Sequence, residues 1–328
     1  MNEVSKLIKT HTTEINENNF TKVYEDAYNL VDDASSIGKL TEIFLAAGLE
    51  PLVYMQAVPD YYLYKSKVTS VVIPKTVKSI GESAFESCSS LTSITIPDSV
   101  TSIGYYAFFD CIGLKNITIP DSVTSIGNGA FYNCTALTEI HYNATKCADL
   151  SSSNYVFSYA GQSGTGITVT IGANVKKIPA YLFYPYSSIS YAPKITSVVF
   201  EEGSVCESIG KYAFSSCRGL TSVIIPDSVT SIGSSAFENC TGLKSITIPD
   251  SVTFIGDYAF YKCSNLTSIT IPDSVTSIGS YLFGNCKNLK DIIFNGTIKQ
   301  WGAIPKGFAW DYNTNEYTIH CTDGDLKE

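Results

Sequence analysis

The sequence predicts a repeat solenoid, in which short coils of similar sequence stack and align their strands in a parallel β-sheet. The segment LTSITIPDSV at residues 91–100 returns almost unchanged at 243–252 and 266–275. Ile-Pro pairs recur every 23 residues in two blocks, at residues 73–74, 96–97 and 119–120 and at residues 225–226, 248–249 and 271–272. Periods of about 20–50 residues indicate a repeat architecture, and 23 residues are too few for two packed helices.

Each unit also carries two apolar stripes that a single coil cannot bury. In LTSITI, residues 91–96, the apolar residues alternate with Ser93 and Thr95, as in a strand with one buried face. Pro97 removes a backbone donor and ends the strand. The return segment, residues 100–108, carries the second apolar stripe. Stacked units bury both stripes, so the repetition itself builds the core.

The domain organisation follows from where the repeat begins and ends. Residues 1–65 lack the repeat and space apolar residues as in helices, which predicts a small α-helical N-terminal cap or, alternatively, a second binding module. Residues 66–294 form the predicted solenoid of about ten coils, with irregular coils at 142–200. Residues 295–328 contain both tryptophans and a last predicted strand, and we expect them to cap the C-terminal end.

Residues at matching repeat positions are expected to form ladders along the stack. One ladder predicts a buried aromatic spine: Phe85, Phe108, Phe131, Phe214, Phe237, Phe260 and Phe283. Another marks a turn that needs either a positive φ or a close approach of two backbones: Gly81, Gly104, Gly127, Gly210, Gly233, Gly256 and Gly279. Both ladders are interpreted as structural.

Seven of the ten cysteines share one repeat position: Cys88, Cys111, Cys134, Cys217, Cys240, Cys263 and Cys286. Disulfide frameworks suit small secreted scaffolds, whereas this chain can bury a large core. Side chains in parallel register also leave Cβ atoms about 4.8 Å apart, longer than the roughly 3.8 Å of a disulfide. The repeat lacks the CxxC pairs and nearby histidines of zinc sites. We therefore expect buried free thiols, with no metal site and no cofactor.

A ladder of acidic residues follows the Ile-Pro pairs: Asp98, Asp121, Asp227, Asp250 and Asp273. An aspartate after proline usually caps backbone N–H groups in its own turn, and we expect that role here. Stacked carboxylates that hold calcium or a basic partner are the alternative.

The composition restricts the partners and the cellular setting. A net charge of −9 and a pI near 4.9 disfavour direct binding to nucleic acid or to an anionic membrane. No segment approaches the ~20 apolar residues of a membrane helix, and the N-terminus lacks a signal-peptide pattern. The expectation is a cytoplasmic protein; the alternative is a secreted or cell-surface protein whose signal peptide has been removed.

The 23-residue unit L-x-x-I-x-I-P-D-S-V-T-S-I-G-x-x-A-F-x-x-C resembles the BspA-like leucine-rich repeat family of bacteria, over roughly residues 66–328. The resemblance implies a leucine-rich-repeat-type solenoid, and it extends to the C-terminal segment. It departs from the commoner leucine-rich pattern, which has an Asn after the strand, because Ser99 stands there. The family hosts many binding roles, among them adhesion to host or matrix proteins.

The candidate binding residues lie where the repeat is broken. Regular coils present similar Ser and Thr surfaces, whereas the region of residues 142–193 concentrates aromatic residues, which are favoured at protein interfaces. The predicted set is Glu139, His141, Tyr142, Tyr155, Phe157, Tyr159, Tyr181, Tyr184, Tyr186 and Tyr191. A second aromatic cluster is predicted on the return side, at Tyr105, Tyr106, Phe109 and Tyr132. Packing of the irregular coils is the alternative explanation for these rings.

Three functions compete at this point. The first is a non-catalytic, intracellular protein-binding scaffold, which includes an inhibitor from a phage or mobile element whose acidic surface occupies a basic groove. The second is a secreted or surface adhesin. The third is an enzyme, for which the sequence offers only His141 near Cys147, without a third group to orient them. The sequence identifies neither the protein partner nor the oligomeric state.

Overall fold

The structure, a computed structural model, describes residues 41, 52, 55–185 and 189–328. There the chain forms a solenoid of about 11 turns with parallel strands and little helix, which confirms the predicted fold class. The helical cap predicted for residues 1–65 lies, up to residue 54, almost entirely outside the described residues.

A first parallel sheet, the long-strand sheet, is built from the LTSITI segments. Its strands alternate exposed polar and buried apolar residues, and matching residues pair between coils, as Ser245 does with Ser268. It runs in three sections, and its strands are Ser70–Val72, Ser93–Thr95, Asn116–Ile119, Glu139–Tyr142, Ile167–Ile171, Ile195–Phe200, Ser245–Thr247, Ser268–Ile271, Asp291–Phe294 and Thr318–Cys321, with Gly324–Lys327 added antiparallel at the end.

A second parallel sheet, the short-strand sheet, is built from the TSI segments. Threonine side chains reinforce it, because Thr124 Oγ1 donates to the Thr101 carbonyl at 3.0 Å. Its strands are Ala57–Val58, Ser79–Ile80, Ser102–Ile103, Ser125–Ile126, Lys177–Ile178, Ser208–Ile209, Ser231–Ile232, Phe254–Ile255 and Ser277–Ile278. The strand at residues 57–58 pairs with that at 79–80, so the solenoid includes residues that the sequence analysis assigned to the cap.

The third side of each coil, the turn side, runs from the repeat glycine to the repeat cysteine, as in residues 104–111. Here too the backbone links neighbouring coils, since the N–H groups of Phe85 and Ser87 donate to the Ala107 and Phe109 carbonyls at 2.8 and 2.7 Å. Ser87 has a positive φ of 59°, and the same position is left-handed in most coils.

The core is an uninterrupted stack of phenylalanine rings. Phe108 and Phe131 lie 5.1 Å apart and nearly parallel. The spine also passes through the irregular coils, where Phe157 lies 5.1 Å from Phe131 and 5.2 Å from Phe183. Each buried ring contributes about 1.5–3 kcal/mol of hydrophobic stabilisation, so the irregular coils keep this contribution while they change their surface.

The glycine ladder exists because successive backbones approach closely. A Cβ on Gly104 would lie 2.6 Å from the carbonyl carbon of Gly81, and one on Gly127 would lie 2.5 Å from the Tyr105 nitrogen. These glycines do not have a positive φ. Of the two explanations offered by the sequence, close approach is therefore the one that applies.

The C-terminal residues close the last coil. Helix Ile298–Ala303 begins with a capping box between Thr297 and Gln300, and it buries Trp301. Trp310 packs against Trp301 and against Phe283, the last ring of the phenylalanine spine, with ring centroids 5.9 and 6.0 Å away. Apart from this helix there is a short 3₁₀ helix at Ile189–Tyr191. No described helix has the length and apolar character needed to cross a membrane.

Candidate protein-interaction surface

Two residues of the predicted binding set are buried. Tyr142 points inward from strand Glu139–Tyr142, and Phe157 belongs to the phenylalanine spine; neither exposes any surface. The prediction that they contact a partner is therefore wrong. Both occupy inward repeat positions. Tyr142 follows Ile119 by the regular 23 residues, so its register is visible in the sequence, whereas Phe157 follows Phe131 by 26 and its register is hidden.

Glu139 and His141 lie apart from the tyrosines, on the outward face of the long-strand sheet. His141 Nε2 is 3.9 Å from Glu139 Oε2. No hydrogen bond joins His141 to Cys147, and the Cys147 thiol instead faces Tyr142. Burial raises the pKa of Cys147, the opposite of what an activated nucleophile needs. The structure thus gives no support to the candidate dyad.

The remaining predicted tyrosines that the structure describes lie on the turn side. Three of them join the return-side cluster in one continuous group, which we call the aromatic surface: Tyr106, Phe109, Tyr132, Tyr155, Tyr159 and Tyr191. All six rings are partly exposed. Members of the two clusters that the sequence analysis treated separately therefore form a single surface. Tyr105, the remaining residue of the return-side cluster, is exposed and is not part of it.

Ring contacts order this surface from coil to coil. Phe109 and Tyr132 stack with centroids 5.0 Å apart, and Tyr132 meets the edges of Tyr155 and Tyr159 at 6.0 and 5.4 Å. Tyr159 lies 4.8 Å from Tyr191 in the irregular region. Such contacts hold the rings in a fixed arrangement from one coil to the next.

A glycine makes room for the contact that spans the centre of the aromatic surface. Gly129 occupies the repeat position that holds Tyr106 in the preceding coil and Tyr155 in the following one. A Cβ on Gly129 would lie 2.7 Å from the Tyr106 ring and 3.2 Å from the Tyr155 ring. Over this gap the two hydroxyl groups meet at 2.9 Å. An alignment of Val-Phe at residues 156–157 with the Ala-Phe of regular coils would have placed Tyr155 at the repeat position of Tyr106, and so could have predicted this pair.

A smaller group continues along the turn side. Tyr181 stacks on Tyr212 at 4.9 Å, and Tyr184 meets Tyr212 edge-on at 5.3 Å. The Lys211 ammonium lies 5.2 Å from the Tyr212 ring centroid. Burial raises the pKa of Tyr184, so its phenol stays a neutral hydrogen-bonding group. Tyr186, the last member of the predicted set, lies outside the described residues.

The acidic ladder does not make the capping bonds expected of it. The structure shows no capping bond from the side chains of Asp98 or Asp273, and both are exposed. The neighbouring serines make the turn bonds instead, as when Ser274 Oγ donates to the Val252 carbonyl of the preceding coil at 2.8 Å. Within the described part of the chain, no group of His, Cys, Asp and Glu side chains is arranged to hold a metal ion.

Together these features define a solenoid repeat protein with a row of ordered aromatic rings on its turn side and without an assembled catalytic group among the described residues. The sequence matches the BspA type Leucine rich repeat region in six copies, over residues 56–190 and 184–304. The protein belongs to this family. Leucine-rich repeat solenoids are typically protein-binding scaffolds.

Several solved bacterial structures are similar to this chain. A leucine-rich repeat protein from Bacteroides ovatus is 26% identical, with 81% of this chain and 73% of that chain covered and a TM-score of 0.49. A leucine rich cell surface protein from Faecalibacterium prausnitzii is 29% identical, with 76% and 86% covered and a TM-score of 0.29. A T. pallidum leucine-rich repeat protein is 25% identical, with 71% and 82% covered and a TM-score of 0.33. A comparison with curated proteins gives no match.

Proposed function

We propose that this protein is a non-catalytic scaffold that binds another protein through the aromatic surface. The observation that carries the proposal is the continuous row of partly exposed rings from Tyr106 to Tyr191, held by ring contacts across successive coils. Tyrosine offers a large contact area at a small entropic cost, and aromatic residues are enriched at interfaces. The regular Ser and Thr face offers far less to distinguish one partner from another.

The proposed setting is intracellular. The ten cysteines are free thiols, which suits a reducing compartment. The alternative remains an adhesin at the cell surface, in keeping with the adhesive members of the family. Fractionation of the source cells with an antibody against this protein separates the two, because an adhesin would be found in the surface or culture fraction.

A second candidate function is inhibition of a protein with a basic groove, by a product of a phage or mobile element. The exposed aspartate ladder supports it, because Asp98, Asp121, Asp227, Asp250 and Asp273 all project from the solenoid and the net charge is −9. Binding by this route would weaken steeply as salt is raised, whereas binding through the aromatic surface would change little.

The test uses two tyrosines at the same repeat position. Tyr155 lies in the aromatic surface, whereas Tyr258 lies on the turn side further along and stacks on Tyr281 at 5.0 Å. Partners captured from the source cells by the wild-type protein are identified by mass spectrometry, and the affinity of each for the variants is then measured. Tyr155→Ala should weaken the affinity for the true partner by about thirtyfold, because losing a hot spot costs roughly 2 kcal/mol of binding free energy.

Tyr258→Ala is the matched control and should bind like wild type. Melting temperatures show whether either variant has lost its fold. If folded Tyr155→Ala and Tyr159→Ala bind every captured partner as tightly as wild type, the aromatic surface is packing alone and the proposal is wrong.

A further inference from the structure

The long-strand sheet has an open apolar groove at its centre. Its walls come from strand Ile195–Phe200, the turn that follows it, and residues 224–228, and it encloses about 400 Å³. Ile224 is 86% exposed and Val199 is 47% exposed, although both lie on a strand face where most coils carry serine or threonine. This groove lies apart from the aromatic surface, which is on the turn side.

The groove lies beside a coil that is two residues longer than the regular 23. Val198 pairs with Val223, 25 residues later, whereas Ser245 pairs with Ser268 after the regular 23. Only single bridges join residues 223 and 224 to the strands on either side. The additional residues form an outward turn in which Gly203 has a φ of +74° and nothing within 4 Å of its Cβ position. That turn forms one wall of the groove.

Two carboxylates line the apolar groove, and no described basic residue lines it. Asp227 and Glu201 are the charged lining residues. The backbone N–H of Ala173 donates to Glu201 Oε2 at 3.0 Å, which holds this side chain in place. Neither carboxylate takes part in an ion pair with another described residue. An occupant must therefore bring its own positive charge beside an apolar group.

Glu201 also lines a second cavity, so the two form one path across the coils. The second cavity encloses about 460 Å³ and is polar; its charged lining residues are Asp98, Asp121 and Glu201. From the coil of Asp98 to the coil of Asp227 there are five coil steps, or about 24 Å at roughly 4.8 Å each. That distance matches about seven residues of extended chain and exceeds the reach of a compact small molecule.

We propose that this path binds an extended segment of a partner protein in which bulky apolar residues stand next to arginine or lysine. The apolar side chains occupy the groove at Val199 and Ile224, and the basic side chains pair with Glu201, Asp227 and the two aspartates beyond. The segment crosses the coils, so it does not extend the sheet as an added strand. This site is independent of the aromatic surface.

The test selects heptapeptides from a library that samples Leu, Phe, Arg, Glu and Ser at every position, using immobilised wild-type protein. Peptides with Arg next to Leu or Phe should be enriched. Fluorescence anisotropy of the enriched peptide should then show affinity at least tenfold weaker for Ile224→Ser and for Asp227→Asn. Matched controls come from the repeat: Val72→Ser, at a residue 82% exposed on the same sheet, and Asp250→Asn should stay within twofold of wild type.

Several results would overturn the inference. Enrichment of arginine without apolar residues would indicate unspecific attraction to an acidic protein. Enrichment of acidic or uncharged peptides, or of none, would exclude the stated occupant. Equal losses in Val72→Ser and Ile224→Ser would place the binding elsewhere on the sheet. Tyr155→Ala should leave peptide binding unchanged. The experiment therefore tests the proposal for this groove separately from the proposal for the aromatic surface.

Discussion

The thiol of Cys240 donates a hydrogen bond to the backbone carbonyl of Phe214 in the preceding coil, at an Sγ–O distance of 3.2 Å. The same bond joins Cys111 to Phe85 at 3.1 Å. A cysteine at this position therefore fills a small apolar space and gives a second hydrogen bond to a buried carbonyl, which already accepts from the backbone N–H of the cysteine in its own coil. Two neighbouring coils are linked without a disulfide.

These buried thiols should be unreactive in the native protein. Burial raises the pKa of Cys206 to about 11 and that of Cys286 to about 12, so very little thiolate exists at pH 8. Iodoacetamide at pH 8 should modify no more than the two half-buried thiols, Cys147 and Cys321, and should reach all ten after denaturation without reductant. Intact-mass spectrometry counts the labels. Labelled ladder cysteines in the native protein, or missing labels after denaturation, would contradict this.

Gly127→Ala should destabilise the solenoid. Its new Cβ would lie 2.5 Å from the Tyr105 nitrogen, and the backbone at Tyr105 cannot move aside without separating two coils. Overpacking of this kind typically costs about 1–3 kcal/mol or more of unfolding free energy. Gly302→Ala is the control, because it lies in a helix with nothing within 4 Å of the new atom, and should be neutral or stabilising by up to about 1 kcal/mol. Urea denaturation measures both; equal effects would refute the close-approach explanation.

Adjacent residues of the Asp-Ser turn should differ in importance. Ser274→Ala removes the bond to the Val252 carbonyl and should cost about 1 kcal/mol of unfolding free energy. Asp273→Ala removes an exposed side chain without a capping bond and should stay within about 0.5 kcal/mol of wild type. The comparison is made by denaturant unfolding. A larger loss of unfolding free energy for Asp273→Ala would support the capping role that the sequence suggested.

The C-terminal hairpin should loosen as pH rises. His320 lies 3.0 Å from Asp291 on one ring nitrogen and 3.0 Å from Asp325 on the other, and these bonds raise its pKa. Because the folded-state pKa exceeds the unfolded value of about 6.5, the stabilisation is complete below that pH and is lost as pH rises through the folded pKa. The imidazolium form alone can donate to both carboxylates.

Hydrogen exchange measures this effect. Residues 318–327, corrected for intrinsic exchange rates, should lose protection between pH 6 and pH 9. His320→Gln should not show that pH-dependent loss. An identical pH dependence in both proteins would mean that His320 does not hold the hairpin.

Much of the fold could be predicted from the repeat. The 23-residue period and its inward positions predicted the parallel solenoid and the phenylalanine spine, because identical units in register bury identical residues. Free buried cysteines were also expected, since stacked Cβ atoms are too far apart for a disulfide. The assignment of Phe157 to the surface failed because three additional residues separate it from Phe131. Tyr142 keeps the regular 23-residue spacing from Ile119, so its inward position could have been predicted.

The sequence by itself determined the coil, the stacking direction and the buried ladders, since these depend on local periodicity that every unit repeats. Only the tertiary structure decided which aromatic rings meet, because Tyr106 and Tyr155 are far apart in the chain and come together over Gly129. It likewise decided where the apolar groove lies, because the two residues added after Val198 form an outward turn and residues 223 and 224 keep only single bridges to their neighbours. Surface sites in a solenoid arise between coils, and contacts between coils depend on how insertions shift one unit against another.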